Sequence, residues 1–293
     1  MLPNWLYTQH LVEHDTVALA AAHRTTEQVD PRVVARLRRS ALHAASLPTA
    51  TPVPWEQLGR AVSALAAVCP ATGWLAQEHL ATVYQLARTT DDASALRSAM
   101  DARALMACSG TDAVELTDPI VARFPHLDLA GAVTVVRAGS AAQPAEPARS
   151  IQAYVVRAAL VAAAITGAAT DLLRRTQTDA PPGPLGAAVT QLLTAQAAVL
   201  RGLSMLETLT AAGQDCAGTV SAAFHTTVRG GVLALIAALE HLLDPQPNLL
   251  SVAGPAWPAV RAMAAHPVLG GGEWNTRVAA TLLGEWEAFE MLP

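Results

Sequence analysis

The chain has 293 residues, of which 52% are hydrophobic but only 4% aromatic, and its formal net charge is −5. That length suits one large domain or two small ones, and a composition rich in alanine and poor in aromatics is typical of packed helices rather than of a sandwich or barrel. The negative charge, with no arginine cluster interleaved with aromatics, excludes a nucleic-acid-binding surface.

The N-terminal third is predicted to be helical. Helices are expected over residues 8–24, 31–46, 55–69, 71–87 and 92–107. The second of these begins with Asp30-Pro31, an N-cap followed by proline at the first helical position. Pro70 interrupts the apolar spacing that continues on both sides of it, so we expect a break between two helices there.

The middle of the chain differs from the N-terminal third in composition and sequence pattern. Residues 108–150 contain one convincing strand, AVTVVRA, and end in a loop rich in Pro, Ala and Ser. From Ile151 onward long apolar helices return, at 151–176, 184–213, 217–244 and 274–290, with a less regular segment over 245–273. Such helices must be buried on several sides, so we predict a bundle with a helical dimer interface.

Four segments resemble, in this order, those of the acyl-CoA dehydrogenase superfamily and its two-component flavin-dependent monooxygenases. They are VCPATGWLAQEHL (68–80), GTDA (110–113), the segment from PPGPLG to SMLE (181–207) and VRAMAAHPVLGGGEWNTRVAATLLG (260–284). The resemblance implies a mainly α fold, an acyl-CoA dehydrogenase-like helical bundle with a severely reduced middle β segment. We expect an N-terminal helical part (1–107), a vestigial β and loop segment (108–150) and a C-terminal long-helix bundle (151–293).

The departures from the family concern its flavin. The middle β domain, which holds the flavin ring in the family, is here about a third of its usual length, too short for a closed barrel. Asp179 stands in place of the arginine that meets the flavin pyrophosphate, and a carboxylate repels phosphate; Arg174 or Arg175 is the alternative partner. We therefore expect no cofactor, with FAD or FMN as the alternative, and no metal.

The helix over 71–87 lies at the cleft of the fold in this resemblance. Glu78 and His79 follow Trp74 by one turn, and Thr72 opens the helix, whose free backbone N–H groups suit an anionic group. His79 is a candidate general acid or base near neutral pH. The alternative is that Trp74 is a core residue and that Glu78 and His79 form a solvated turn.

A second candidate site lies in the apolar helix over 217–244. His225 and Arg229 are four residues apart, and polar side chains inside an apolar helix cost free energy unless they are paired. The guanidinium could bind a sulfate, phosphate or carboxylate through two hydrogen bonds; a polar contact between helices is the alternative. The resemblance also places Arg261 and His266 near the active site.

These arguments give one set of site residues. The predicted catalytic residues are His79, His225 and Glu78, and the predicted substrate-binding residues are Arg229, Trp74, Thr72, Arg261 and His266.

Three functions of different class remain open. The first, which we prefer, is a flavin-independent, lyase- or cyclase-type enzyme of specialised (natural-product) metabolism, catalysing elimination, cyclisation or dehydration of a small, anionic substrate. The alternatives are a flavin-dependent monooxygenase or dehydrogenase, and a silent subunit that completes a partner's active site. In each case we expect a cytoplasmic homo- or hetero-oligomer, with a second acyl-CoA dehydrogenase-like subunit as the candidate partner, and no membrane span, because the apolar run at 158–170 is too short.

Overall fold

The N-terminal part of the chain is helical. The computed structural model describes residues 12–19, 29, 31–47, 53–89, 96–97, 100–109, 112–123, 128–136, 147–211, 219–254 and 256–270. In its N-terminal part lie α1 (residues 12–19), α2 (Pro31–Arg39), a 3-10 turn (Ala41–Ala44), α3 (Trp55–Val68) and α4 (Pro70–Thr89).

The break between α3 and α4 lies at Pro70, as predicted. Proline has no backbone N–H, so the hydrogen-bond ladder of α3 cannot continue through it. Cys69 is extended, with φ −152° and ψ 110°, and closes α3 by donating its N–H to the carbonyl of Leu65. Pro70 then begins α4, where its missing N–H costs nothing.

A small antiparallel sheet follows the N-terminal helices. It consists of β1 (Leu105–Ser109), β2 (Asp112–Arg123) and β3 (Asp128–Val136), in the order β1-β2-β3. Leu116 pairs with Leu105 on one side and with Val133 on the other. The register shifts between Thr117 and Val121, around a proline that cannot donate to the ladder.

Long helices make up the described C-terminal part. They are α5 (Pro147–Thr176), α6 (Pro182–Ala211), α7 (Thr219–Leu243), α8 (Pro247–Ala253) and α9 (Ala256–Ala264), followed by a 3-10 turn (Pro267–Leu269). Together with the short sheet, they confirm the predicted mainly α fold with a reduced β segment. The boundaries of the three predicted parts stay a prediction.

Helix α5 is the centre of the molecule. It packs against α3, α4, α6, α7, α8 and α9, and 89% of its apolar window, Ala153–Thr176, is buried. Small side chains let its neighbours approach closely. A Cβ on Gly167 would overlap the backbone carbonyl of Ser63 on α3, so glycine is required where these two helices cross.

Within the described part of the chain, three helices are long and apolar enough to cross a membrane by length and composition alone. The apolar run at 158–170, on which the expectation of no membrane span was based, therefore understates the length of the apolar helices. The first, in α5, is buried within the fold, whereas the apolar windows of α6 (Pro182–Thr208) and α7 (Phe224–Leu243) are only 22% and 33% buried. These two helices expose large apolar side chains, among them Leu193 on α6 and Leu233 on α7.

Several predicted elements differ from the observed ones. The predicted helix over 92–107 runs too far, because β1 begins at Leu105 and its backbone pairs with β2; this pairing overrides the local helix propensity. β1 and β2 were missed since neither shows a clean alternation of apolar and polar residues. The segment 245–273 is more regular than predicted, as α8 and α9 lie in it. The predicted helix over 274–290 lies outside the described residues.

Candidate functional site

A buried ion pair joins α4 to α5. Arg157 Nη1 lies 3.0 and 2.9 Å from the two carboxylate oxygens of Glu78. Its Nη2 donates to the hydroxyl of Thr82 at 3.0 Å and to Gln85 Oε1 at 3.5 Å. The two charged side chains are only 10% and 5% exposed, so this pair is desolvated and satisfied by hydrogen bonds, as a buried pair must be to persist.

The 3-10 turn at Pro267–Leu269 is held by side chains of α5 and α7. Tyr154 donates its hydroxyl to the carbonyl of Val268 at 2.9 Å, and His225 Nε2 donates to the same oxygen at 2.9 Å. The two rings lie 5.6 Å apart between centroids. One helical turn beyond His225, Arg229 Nε donates to the carbonyl of Leu269 at 2.9 Å. The turn is thereby bound to two helices at once.

His266 connects this turn with the ion pair. Its Nδ1 accepts the backbone N–H of Val268 at 3.1 Å, and its ring contacts the ring of Trp74 edge-on, with centroids 5.4 Å apart. Burial lowers the pKa of His266 to about 4, with Glu78 acting in the raising direction and Arg157 in the lowering direction. The imidazole is therefore neutral at pH 7.

These contacts, the shared backbone of Val268 and the electrostatic effect of the ion pair on His266 define one group of side chains, which we call the His266 cluster. It consists of Trp74, Glu78, Tyr154, Arg157, His225 and His266. Four of these six were predicted from the sequence, on three separate segments, and the fold brings them together.

Nε1 of Trp74 and Oε1 of Gln77 are among the buried polar atoms of α4 that have no hydrogen-bond partner in the described residues. The amide nitrogen of Gln77 is used, since it donates to Glu78 at 2.7 Å. An unsatisfied buried donor or acceptor costs about 1–3 kcal/mol. Within the described chain, the Nε2 atom of the half-buried His266 makes no hydrogen bond either.

His79 lies outside this cluster, and its geometry argues against the predicted proton transfer. Its Nε2 donates to the carbonyl of His43 at 2.8 Å, and its Nδ1 accepts the N–H of Met106 at 3.0 Å. Burial, together with the nearby His43, lowers the pKa of His79 to about 3. Both ring nitrogens are occupied by backbone groups, so the ring joins α4 to β1 and has no atom left for a substrate.

Three further predicted residues have contacts of their own. Thr72 is buried at the junction of α3 and α4, where its N–H donates to the carbonyl of Cys69. The exposed Arg261 lies over the ring of Trp257, 5.7 Å from its centroid. Arg229 is half-buried beside the turn, and its bond to Leu269 joins helix to turn. Their roles in substrate binding stay predictions.

Arg157 and Tyr154 are the cluster residues that sequence reasoning missed. Both lie in the long apolar stretch of α5, which was interpreted only as a core helix. The signal was present: a charged or phenolic side chain inside an apolar helix needs a partner. The same rule had selected His225 and Arg229.

No protein-family model matches the chain, and no curated protein matches it. Solved structures do. XiaF from Streptomyces sp., in complex with FADH2 and glycerol, is 12% identical with a TM-score of 0.66, and the match covers 96% of each chain. The HsaA monooxygenase from M. tuberculosis is 12% identical with a TM-score of 0.65, covering 96% of this chain and 98% of that one. A steroid ACAD, the Tcur3481-Tcur3483 G363A variant, is 12% identical with a TM-score of 0.62, over 97% and 99%.

The comparisons correct the expectation that the chain has no cofactor. Structures that share the fold almost end to end include a monooxygenase and a complex with FADH2, so the short middle segment was the wrong ground for excluding a flavin. The preferred non-redox interpretation rested on the absence of a flavin and is therefore no longer supported. The flavin-dependent alternative is better supported. At 10–12% identity these likenesses establish the fold alone. On this evidence the chain has the acyl-CoA dehydrogenase fold, as its four sequence segments predicted.

Proposed function

We propose that the chain is a flavin-using enzyme of the acyl-CoA dehydrogenase fold, which hydroxylates or dehydrogenates a small organic substrate. One observation carries the proposal. The His266 cluster joins α4 to the segment after α9, the two parts of the chain in which the family resemblance implies active-site residues. XiaF, which shares this fold over 96% of both chains, is described in complex with FADH2.

The cluster suits the ring of a flavin. The polar edge of an oxidised flavin ring presents carbonyl oxygens and unprotonated nitrogens as hydrogen-bond acceptors, beside one N–H donor. Trp74 Nε1–H is a buried donor with no partner in the described chain. His266 carries a second donor, Nε2–H, because its Nδ1 accepts from Val268. An acceptor at Trp74 would remove the cost of an unpaired buried donor.

The bound flavin would supply the redox chemistry, activating dioxygen when reduced or accepting a hydride when oxidised. The chain's own residues supply orientation and hydrogen bonds. His266 is neutral near pH 7, since its pKa is lowered to about 4, and its Nε2–H would donate a hydrogen bond to a flavin or substrate oxygen. The Glu78–Arg157 pair adds no net charge beside it.

The substrate's charge is no longer part of the proposal. The prediction of an anionic substrate rests on Arg229 and on the start of the helix after Pro70. Arg229 directs its Nε to the carbonyl of Leu269, and Thr72 at the helix start is buried. We therefore propose a small organic substrate without assigning its charge. A place in natural-product metabolism stays a prediction.

A titration with FMN and FAD tests the proposal. We expect saturable changes in flavin absorbance and fluorescence, with oxidised or reduced flavin. Trp74→Phe keeps the aromatic ring but removes the indole N–H, so flavin affinity should fall by about 5- to 30-fold, corresponding to about 1–2 kcal/mol. Trp257→Phe is the matched control, since Trp257 contacts Arg261 and is not a member of the His266 cluster. The absence of any saturable change with both flavins in both redox states would contradict the proposal.

The second candidate is a subunit that completes a partner's active site. It is favoured by the uncovered apolar faces of α6 and α7, of whose apolar windows only 22% and 33% are buried. The steroid ACAD with this fold is named as a pair, Tcur3481-Tcur3483. We propose that these faces are covered by a second acyl-CoA dehydrogenase-like chain, identical or different, in a cytoplasmic assembly. Light scattering of the purified chain, alone and co-expressed with such a subunit, separates the homo-oligomer from the hetero-oligomer.

A further inference from the structure

The orientation of the His266 ring is set by the turn that follows it. Its Nδ1 accepts the N–H of Val268 at 3.1 Å. In a neutral imidazole one nitrogen accepts and the other carries the hydrogen, so this bond places the proton on Nε2. The other tautomer would direct two N–H groups at each other and is excluded as long as Val268 keeps its place.

Val268 in turn is held from the other side. Its carbonyl accepts two hydrogen bonds, from the Tyr154 hydroxyl at 2.9 Å and from His225 Nε2 at 2.9 Å. A carbonyl oxygen has two lone pairs, so both are used. The donors come from different helices, α5 and α7, and His225 and Val268 are themselves buried. The position of Val268 is therefore fixed by hydrogen bonds from two helices and not by the turn alone.

We propose that Tyr154 and His225 are positioning residues, which fix Val268 so that its N–H holds His266 in the tautomer with the proton on Nε2. The importance of that tautomer rests on the proposed function, because Nε2–H is then the donor offered to flavin or substrate. The geometric claim itself depends on neither ligand. An indirect support of this kind is common for imidazoles whose tautomer matters.

The surroundings of His266 make this support necessary. Trp74 contacts the ring by its edge and provides no acceptor. Glu78 raises and Arg157 lowers the pKa of the ring, so the two charges oppose each other. The Val268 N–H is thus the one hydrogen bond that the described residues offer to the ring of His266.

The test is a nitrogen-15 NMR spectrum of the flavin-free full chain with labelled histidine side chains. His266 is assigned by the loss of its signals in His266→Gln. In the wild type, the Nδ1 and Nε2 shifts of His266 should lie far apart, as for a single tautomer with the proton on Nε2. In Tyr154→Phe and in His225→Leu the two shifts should move toward each other, because the tautomers then exchange.

A conservative variant distinguishes positioning from general destabilisation. In His225→Gln the side-chain amide can donate where Nε2 did, so the wide separation should return. Tyr84→Phe alters another buried tyrosine, one that contacts Trp55 instead, and should leave the His266 shifts unchanged. Wide separation retained in both Tyr154→Phe and His225→Leu, or a proton on Nδ1 in the wild type, would overturn the proposal. Flavin titration of the same samples is an independent readout, so failure of the proposed function would be seen separately.

Discussion

At the scale of single residues, the buried ion pair and the buried histidines of the described chain are tied to specific partners. Glu78 and Arg157 neutralise each other, and four described histidines donate to or accept from backbone groups: His43, His79, His225 and His266. Burying a polar group is costly unless it is hydrogen-bonded. Each of these side chains therefore determines how two elements meet, in addition to any chemistry it performs.

Removing one partner of the buried ion pair should be strongly destabilising. Arg157→Met leaves the Glu78 carboxylate buried without its counter-charge, and we expect a loss of about 3–5 kcal/mol in the free energy of unfolding. The double variant Glu78→Leu/Arg157→Met should recover most of it. Urea unfolding followed by circular dichroism measures both.

The exposed ion pair of Arg60 and Glu56 is the control for this experiment. Its side chains are 63% and 38% exposed, so Arg60→Met should change stability by less than about 1 kcal/mol. Equal losses in Arg157→Met and Arg60→Met would contradict a special role for the buried pair.

The buried histidines should make stability depend on pH. The pKa of His266 falls from 6.5 to about 4 and that of His79 to about 3 on folding. Between these values and 6.5 the unfolded chain binds more protons than the folded one, so stability is lost as the pH falls through this window. His266→Gln should reduce the slope between pH 6 and 5 by up to about 1.4 kcal/mol per pH unit. Denaturant unfolding at several pH values measures it, and an unchanged slope would contradict the assignment.

At the scale of elements, α3, α4 and α5 pack so closely that small residues are required at their crossings. Gly167 on α5 meets the backbone carbonyl of Ser63, and Gly73 on α4 meets Ala66 on α3. Interiors at this packing density do not tolerate an added methyl group without a shift of the backbone. The bundle geometry that forms the His266 cluster thus depends on residues that carry no chemistry.

Two glycine-to-alanine substitutions test this packing, and we expect them to change the free energy of unfolding in opposite directions. Gly167→Ala should cost about 1–3 kcal/mol, because the new Cβ overlaps the Ser63 carbonyl. Gly230→Ala in α7 meets nothing within 4 Å and should stabilise by about 0.5–1 kcal/mol through its helix propensity. Thermal unfolding of both variants measures the difference. A neutral Gly167→Ala would show that α3 and α5 can separate without penalty.

At the scale of the whole molecule, the apolar surface is unevenly covered. Helix α5 is enclosed, whereas α6 and α7 expose large side chains, among them Leu193 at 60% and Leu233 at 46%. Large exposed apolar side chains often mark an interface. They support the proposed assembly of chains, in which α6 and α7 would lie at the contact.

Charges on these faces should dissociate the assembly. Leu193→Glu and Leu233→Glu, combined, should shift the protein from oligomer to monomer, because a carboxylate in an apolar contact is desolvated without a partner. Size-exclusion chromatography with light scattering measures the mass. Val17→Glu is the control, since Val17 is 69% exposed on α1 and should leave the mass unchanged. An unaltered mass in the double variant would place the interface elsewhere.

Much of the fold was predictable from the sequence, because the signals for it are local. Apolar periodicity marked the long helices, Pro70 marked the break before α4, and four segments in a fixed order indicated the acyl-CoA dehydrogenase fold. Strands β1 and β2 were not predictable, since their conformation depends on pairing with each other. The cofactor prediction failed because the length of one segment says little about what the whole fold can bind.

The sequence by itself determined the helical class, the family resemblance and which helices carry polar side chains. Only the tertiary structure decided which of those side chains meet. Glu78 and His79 are adjacent in sequence, yet they lie on different faces of α4: one pairs with Arg157, and the other is bound by backbone groups near β1. Arg157 and Tyr154 acquire their roles only when α5 packs against α4 and the 267–269 turn. Contacts over such separations depend on the packing of helices, which no local pattern specifies.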